Sequence, residues 1–176
     1  IDAAGALEPS RMAVVIGDHA PDVGGFAQSV RDGIAVAVQS PPQGTGHAVM
    51  QALPALEDFS GAVLVLYADT PLVTPQTLRR LADEIGKGAA VAVLGFRPEN
   101  PGAYGRLKLD DKGSLAAIVE AKDANEEELE ITLCNSGVMA IDAAFLQKRL
   151  KDIGNKNAKK DYKSYKSYHK CFKLVI

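Results

Sequence analysis

Gly61-Ala62-Val63-Leu64-Val65-Leu66-Tyr67-Ala68-Asp69-Thr70-Pro71 reads as a buried strand and the turn that stops it. Ala62–Tyr67 is an unbroken apolar run of strand length, as expected where both faces of a sheet are covered. A helix is predicted straight after it, over Thr74–Ile85, with Pro75 in the first turn, where a missing N–H leaves nothing unpaired. The same alternation extends upstream. Met12–Gly17 (MAVVIG) predicts a strand, Val23–Val30 a helix, and Ile34–Gln39 (IAVAVQ) a second strand halted by Pro41-Pro42. His47–Leu53 has helical spacing behind a Gly44-Thr45-Gly46 turn, with Thr45 expected as N-cap. Downstream, Ala89–Phe96 predicts a further strand. Strands parted by helices mean an α/β protein with a mostly parallel sheet flanked by helices. Beyond Pro101 the texture changes. Gly105–Leu109, Leu115–Glu120 and Leu133–Ile141 are short strand candidates, separated by the Asp110–Gly113 turn and an acidic helical stretch at Asn125–Leu129. They predict a mixed or antiparallel addition beside the parallel core.

Composition sets the limits. The 176 residues are 47% hydrophobic, enough for one domain with a sizeable core. No apolar run approaches the roughly 18–20 residues of a membrane span, and no secretory leader pattern opens the chain. Cys134 and Cys171 have no metal-like spacing, so free thiols and a cytoplasmic location are expected. The net charge of −2 hides a split, with −10 on residues 1–147 and +8 on residues 148–176. Such a break marks a boundary. Residues 1–147 are expected to form the domain, and 148–176 a basic Lys/Tyr/Ser-rich tail, disordered or frame-shifted.

Chemistry is expected where strands end, because ligands of open α/β sheets bind at the carboxyl ends of the strands. Gln39 through His47 follows a strand and opens a helix. Its glycines would let backbone approach a ligand, and Gln39 would either read a base edge or cap the loop. Asp69 leaves the Ala62–Tyr67 strand where a carboxylate can hold Mg²⁺ beside phosphates, or else simply cap the turn. Glu120 and Asn135 also stand at strand ends, with a structural hydrogen-bonding role as the plainer alternative. His47 reads as a helix-entry residue packing its ring. Nothing in the chain matches a serine nucleophile elbow, a Walker loop or a paired-cysteine motif. The residues alone therefore reach a nucleotide- or sugar-binding α/β domain.

Five motifs in order carry a resemblance. They are Gln39-x4-Gly44-Thr45-Gly46-His47-Ala48, Tyr67-Ala68-Asp69-Thr70-Pro71-Leu72, Pro101-Gly102-Ala103-Tyr104-Gly105-Arg106, Ile118 through Ala124, and Asn135-Ser136-Gly137. Together, over about residues 1–150, the chain resembles the uridylyltransferase half of bifunctional UDP-N-acetylglucosamine pyrophosphorylase/glucosamine-1-phosphate acetyltransferases. The resemblance implies a Rossmann-like, GT-A-like nucleotidyltransferase fold. It implies attack of N-acetylglucosamine-1-phosphate on the α-phosphorus of UTP with Mg²⁺ present, giving UDP-N-acetylglucosamine and pyrophosphate. Gln39, Gly44 and Thr45 would lie at the uracil, and Tyr67, Ala68 and Asp69 along the nucleotide, with Asp69 also a Mg²⁺ ligand. Gly105, Glu120 and Asn135 would hold the N-acetylglucosamine moiety. Ala68 stands where the family usually has glycine.

The same resemblance implies missing parts. The family's Leu-Ala-Ala-Gly-x-Gly-Thr phosphate loop, its Arg and Lys, and its first strand would precede Ile1. The Gln-Gly-Glu-Tyr-Tyr-x-Thr-Asp stretch expected after Ala158 is replaced by Lys159-Lys160-Asp161-Tyr162-Lys163-Ser164-Tyr165. The acetyltransferase half, which makes the family trimeric, is not present. The expectation is a chain truncated at both ends, monomeric, without membrane or nucleic-acid partner, and inactive as it stands. The alternatives are a non-catalytic uridine- or sugar-binding remnant, or another sugar-nucleotide transferase of the same fold.

Overall fold

A single helical turn at Asp2–Gly5 (α1) precedes Met12–Gly17 (β1) in the computed structural model, which describes residues 1–150 and 172–176. Pro21–Val30 (α2) then crosses to Ile34–Gln39 (β2), which lies parallel to β1 with Met12 opposite Ile34 and Gly17 opposite Gln39. Gly24 lets α2 lie close on this pair, since a Cβ there would come 2.9 Å from Val36 Cγ1 and 3.3 Å from Ile16 Cδ1. Thr45–Ala52 (α3) and a 3-10 turn at Leu53–Leu56 follow, and α3 packs on β1 and β2. These elements form one compact unit over Ile1–Ser60.

The second unit takes up the chain at Gly61 and holds the larger sheet. Ala62–Val65 (β3), Pro75–Gly86 (α4) and Val91–Phe96 (β4) continue the strand–helix–strand rhythm. Thr74 Oγ1 accepts the Thr77 N–H at 3.2 Å and caps α4. Leu78, Leu81 and Ile85 form a buried stripe that covers β3, β4 and the strand between them. At roughly 1.5–3 kcal/mol for each large side chain taken out of water, that stripe is what fixes the helix.

Arg106–Leu109 (β5) and Leu115–Val119 (β6) make an antiparallel hairpin across Asp110–Gly113. The short acidic helix Glu126–Leu129 (α5) is closed by a reciprocal capping box between Asn125 and Glu128. Cys134–Asp142 (β7) then runs back between the others. One edge of β7 pairs antiparallel with β4. The other pairs with β3 over Met139–Asp142 and with β5 at Cys134. Ala143–Leu150 (α6) returns to the first unit, where Gln147 Nε2 donates to the Leu56 carbonyl at 3.2 Å. Phe172–Val175 (β8) pairs parallel with β4, giving the order β6-β5-β7-β4-β8 with β3 also on β7.

The α/β class and the helix-flanked sheet are as expected. The parallel share is smaller, because among the described residues only β1–β2 and β4–β8 pair in parallel. The physical reason is β7, which enters the middle of the sheet in the opposite direction and separates β3 from β4. The contacts divide the chain after Ser60 and after Asp142, whereas composition alone marks Lys148. Of the expected basic tail, residues 151–171 lie outside the described residues, and Phe172–Val175 is a strand. No helix among the described residues is long and apolar enough to cross a membrane.

Candidate functional site

Gln39, Gly44 and Thr45 belong to the first unit, and Tyr67, Ala68, Asp69, Gly105, Glu120 and Asn135 to the second. In the first unit Gln39 closes β2 and turns its amide back on the loop. Its Nε2 donates to the Gly44 carbonyl at 2.9 Å and lies 3.0 Å from His47 Nδ1. Gln39 Oε1 has no partner among the described residues. Gly44, not Thr45, is the N-cap of α3. Its φ of 90° and ψ of 173° favour glycine, and no side chain caps the helix there. Thr45 is the exposed first helical residue. At the neighbouring strand ends, the Ser40 hydroxyl donates to Asp18 Oδ2. That bond, together with the nearby His19, holds the Asp18 carboxyl below its ordinary value.

In the second unit β5 brings three expected residues together. The β5–β6 register opposes Arg106 to Val119, so Gly105 and Glu120 continue side by side. On the other edge the Asn135 N–H donates to the Gly105 carbonyl at 2.8 Å. Gly105 is buried, and Glu120 and Asn135 are half-buried.

The Asn135-Ser136-Gly137 motif is a bulge. Val93 opposes Met139 and Gly95 opposes Asn135, so four steps along β7 match two along β4. Ser136 Oγ fills the gap, donating to Leu94 O at 2.8 Å and accepting from Val138 N at 3.2 Å. Asn135 Oδ1 accepts the Gly137 N–H at 3.0 Å, which leaves its Nδ2 hydrogens without a partner among the described residues. Gly137 has φ 83°, and a Cβ there would meet the Tyr67 ring at 2.9 Å. Tyr67 is thereby seated on the bulge.

β3 ends at Val65, two residues before the predicted end, because the chain turns: Thr70 N and Oγ1 both bond the Tyr67 carbonyl, at 3.3 and 3.0 Å. Ala68 and Asp69 form the exposed crest of that turn. What this turn offers a cation such as Mg²⁺ is one carboxylate. Among the described residues no three His, Cys, Asp or Glu side chains converge on a metal position, whereas Asp69 offers a single open carboxylate. Mg²⁺ is commonly held by one or two carboxylates while substrate phosphates and water complete its shell.

Two features escaped the sequence reading. His47 is not merely a packed ring, for its Nε2 also lies 3.0 Å from Gln51 Nε2, which the i, i+4 spacing on α3 foreshadows. Arg106 is 4% exposed, and its guanidinium donates to the carbonyls of Pro101, Gly102, Tyr104 and Leu129. It therefore gathers the loop that delivers Gly105. An arginine opening an apolar strand was the available sign. Beside it, burial pushes the Cys134 thiol up, so that sulfur is an inert core atom.

Residues 1–129 match the sequence profile of the MobA-like NTP transferase domain. The chain is 48% identical over 159 residues to a protein of Maricaulis maris named bifunctional protein GlmU, and 50% identical over 153 residues to the one of Azorhizobium caulinodans. These alignments cover 90% and 87% of this chain but 35% and 34% of those proteins, so the chain spans about a third of their length. In fold it is similar to HddC from Yersinia pseudotuberculosis, with a TM-score of 0.65 at 17% identity, over 99% of this chain and 74% of that one. A second structure of HddC, complexed with GMP-PN, matches with the same TM-score of 0.65 at 15% identity.

Proposed function

This chain belongs to the MobA-like NTP transferase family, and on that footing we propose that it is the uridylyltransferase part of an enzyme making UDP-N-acetylglucosamine from UTP and N-acetylglucosamine-1-phosphate. The observation that carries the reading is the triple edge Glu120–Gly105–Asn135, held by the 2.8 Å bond from Asn135 N to Gly105 O. A sugar hydroxyl pair suits the Glu120 carboxylate as acceptor. The acetamido carbonyl suits the Asn135 Nδ2 donors, which have no partner among the described residues. Similarity to the GlmU proteins and the nucleotide complex of a protein of like fold support the same class of ligand.

Asp69 would hold Mg²⁺ when a nucleotide brings it, and the ion would offset phosphate charge there. In this reading Gln39, Gly44 and Thr45 would meet the base, and Gly105, Glu120 and Asn135 the sugar. Transfer of the uridylyl group additionally needs phosphate-binding backbone and cations, because such transfer depends on positioning and charge stabilisation.

Isothermal titration with UDP-N-acetylglucosamine and Mg²⁺ tests the reading. Binding in the micromolar range that Asn135→Ala weakens supports it. Absence of binding, or binding indifferent to Asn135, overturns it. Binding without pyrophosphate release from the substrates favours a binding remnant.

A further inference from the structure

Arg31-Asp32-Gly33 joins α2 to β2, and Asp32 is the one aspartate or asparagine of the chain that a glycine follows. Both Asp32 and Gly33 are exposed. Gly33 has φ 77°, left-handed backbone that glycine adopts freely, and nothing lies within 4 Å of where its Cβ would stand. Neither the Asp32 carboxyl nor the Gly33 N–H has a hydrogen-bond partner among the described residues. Other turns engage the same pair of groups. Asp110 Oδ1 accepts the Lys112 and Ser114 N–H groups, at 2.9 and 2.8 Å. The N–H groups that follow Asp58 and Asp69 are bonded to the Leu56 and Tyr67 carbonyls, and Pro101 after Asn100 has none.

We propose that Asp32-Gly33 is a site of spontaneous isomerisation to isoaspartate. The Gly33 main-chain nitrogen attacks Cγ of the protonated Asp32 carboxyl. A C–N bond forms, a C–O bond breaks, and the amide hydrogen leaves with the hydroxyl as one water. Water then opens the cyclic imide at the former main-chain carbonyl, so that the chain runs through Cγ and a free α-carboxylate stands on the turn. Composition and oxidation state end unchanged, and water is the only co-reactant. Glycine serves the ring closure because no side chain shields its nitrogen and its backbone turns freely. The product is a substrate for one class of enzyme, the isoaspartyl carboxyl methyltransferases, which esterify that carboxylate from a sulfonium methyl donor. It also sets one extra main-chain atom between α2 and β2, in the span that Gln28 Nε2 closes by donating to Ile34 O at 3.1 Å.

The whole folded chain, kept in warm neutral buffer and sampled over time, is methylated with such an enzyme and radiolabelled S-adenosylmethionine. Label should accumulate, and peptide mapping should place it at Asp32. Asp32→Glu, whose larger ring closes far more slowly, should lose the label. Asp32→Asn, which expels ammonia more readily than the acid expels water, should gain it sooner. Label that never forms, maps to other residues, or persists in Asp32→Glu overturns the proposal. The same time course in urea asks whether the folded turn is open to the reaction. Similar rates in folded and unfolded chain support the assignment. Slowing on the order of tenfold or more in the folded chain means that the turn must first open, and overturns it.

Discussion

The main-chain N–H of Asn135 donates to the carbonyl of Gly105 at 2.8 Å, joining the bulged start of β7 to the residue that enters β5. A Cβ at Gly105 would meet Val119 O at 3.5 Å and Asn135 Cβ at 3.8 Å, both ordinary contacts, and no positive φ is involved. Gly105→Ala should therefore fold with stability unchanged, or raised by up to about 1 kcal/mol, in urea denaturation. If this face holds the sugar, the same variant should bind UDP-N-acetylglucosamine on the order of tenfold more weakly.

Gly137→Ala is a different case. Its φ of 83° strains any side chain, and the new methyl would press on the Tyr67 ring at 2.9 Å. A loss of about 1–3 kcal/mol is expected from the backbone alone. Tyr67→Ala in the same chain should relieve the steric part but not the backbone part. Chemical denaturation of the two single variants and the double variant will read that non-additivity.

Arg106→Met removes the guanidinium donors to the Pro101, Gly102, Tyr104 and Leu129 carbonyls, of which Pro101 O keeps the Tyr104 N–H at 3.0 Å. Leaving these carbonyls short of partners should cost about 2–4 kcal/mol. Arg106→Lys should recover less than half, since an ammonium cannot reach divergent carbonyls as a planar fork does. Guanidinium titration followed by circular dichroism checks both.

Glu128 supplies a pH dependence. The Asn125 main-chain N–H first, and Lys108 at 3.2 Å second, hold its carboxyl below the ordinary 4.5. A lowered native value means stability that is present above 4.5 and lost as pH falls through the native value. Glu128→Gln should flatten that part of the acid-unfolding profile, and a side-chain carboxyl NMR titration should place the Glu128 midpoint below 4.5.

Much of this was legible in the sequence because local rules decided it. Thr74-Pro75 and the Leu78, Leu81, Ile85 stripe announce α4, and Asn125 with Glu128 announces a capped acidic helix. The direction of β7 was not legible. Its apolar run reads the same in either orientation, and only pairing with β3 and β4 decides between them. The Asn135-Ser136-Gly137 segment was noticed as a motif, but its bulge depends on a register set across the sheet. Gln39 was read with two roles open, and the structure gives its nitrogen to the loop, with no partner for its oxygen among the described residues. His47 was underestimated because its partners lie eight residues back and one helical turn ahead.

β7 is bonded along both edges over Met139–Ile141, with β3 on one side and β4 on the other. Its amides there cannot meet water through fraying, as those of β6 can at the outer edge. Hydrogen exchange in this segment should require opening of the whole second sheet, which makes the amides of Met139, Ala140 and Ile141 the slowest clock in that unit. Were this strand undocked, the Ala62–Val65 and Val91–Phe96 edges it covers would be bare and prone to pair with another copy.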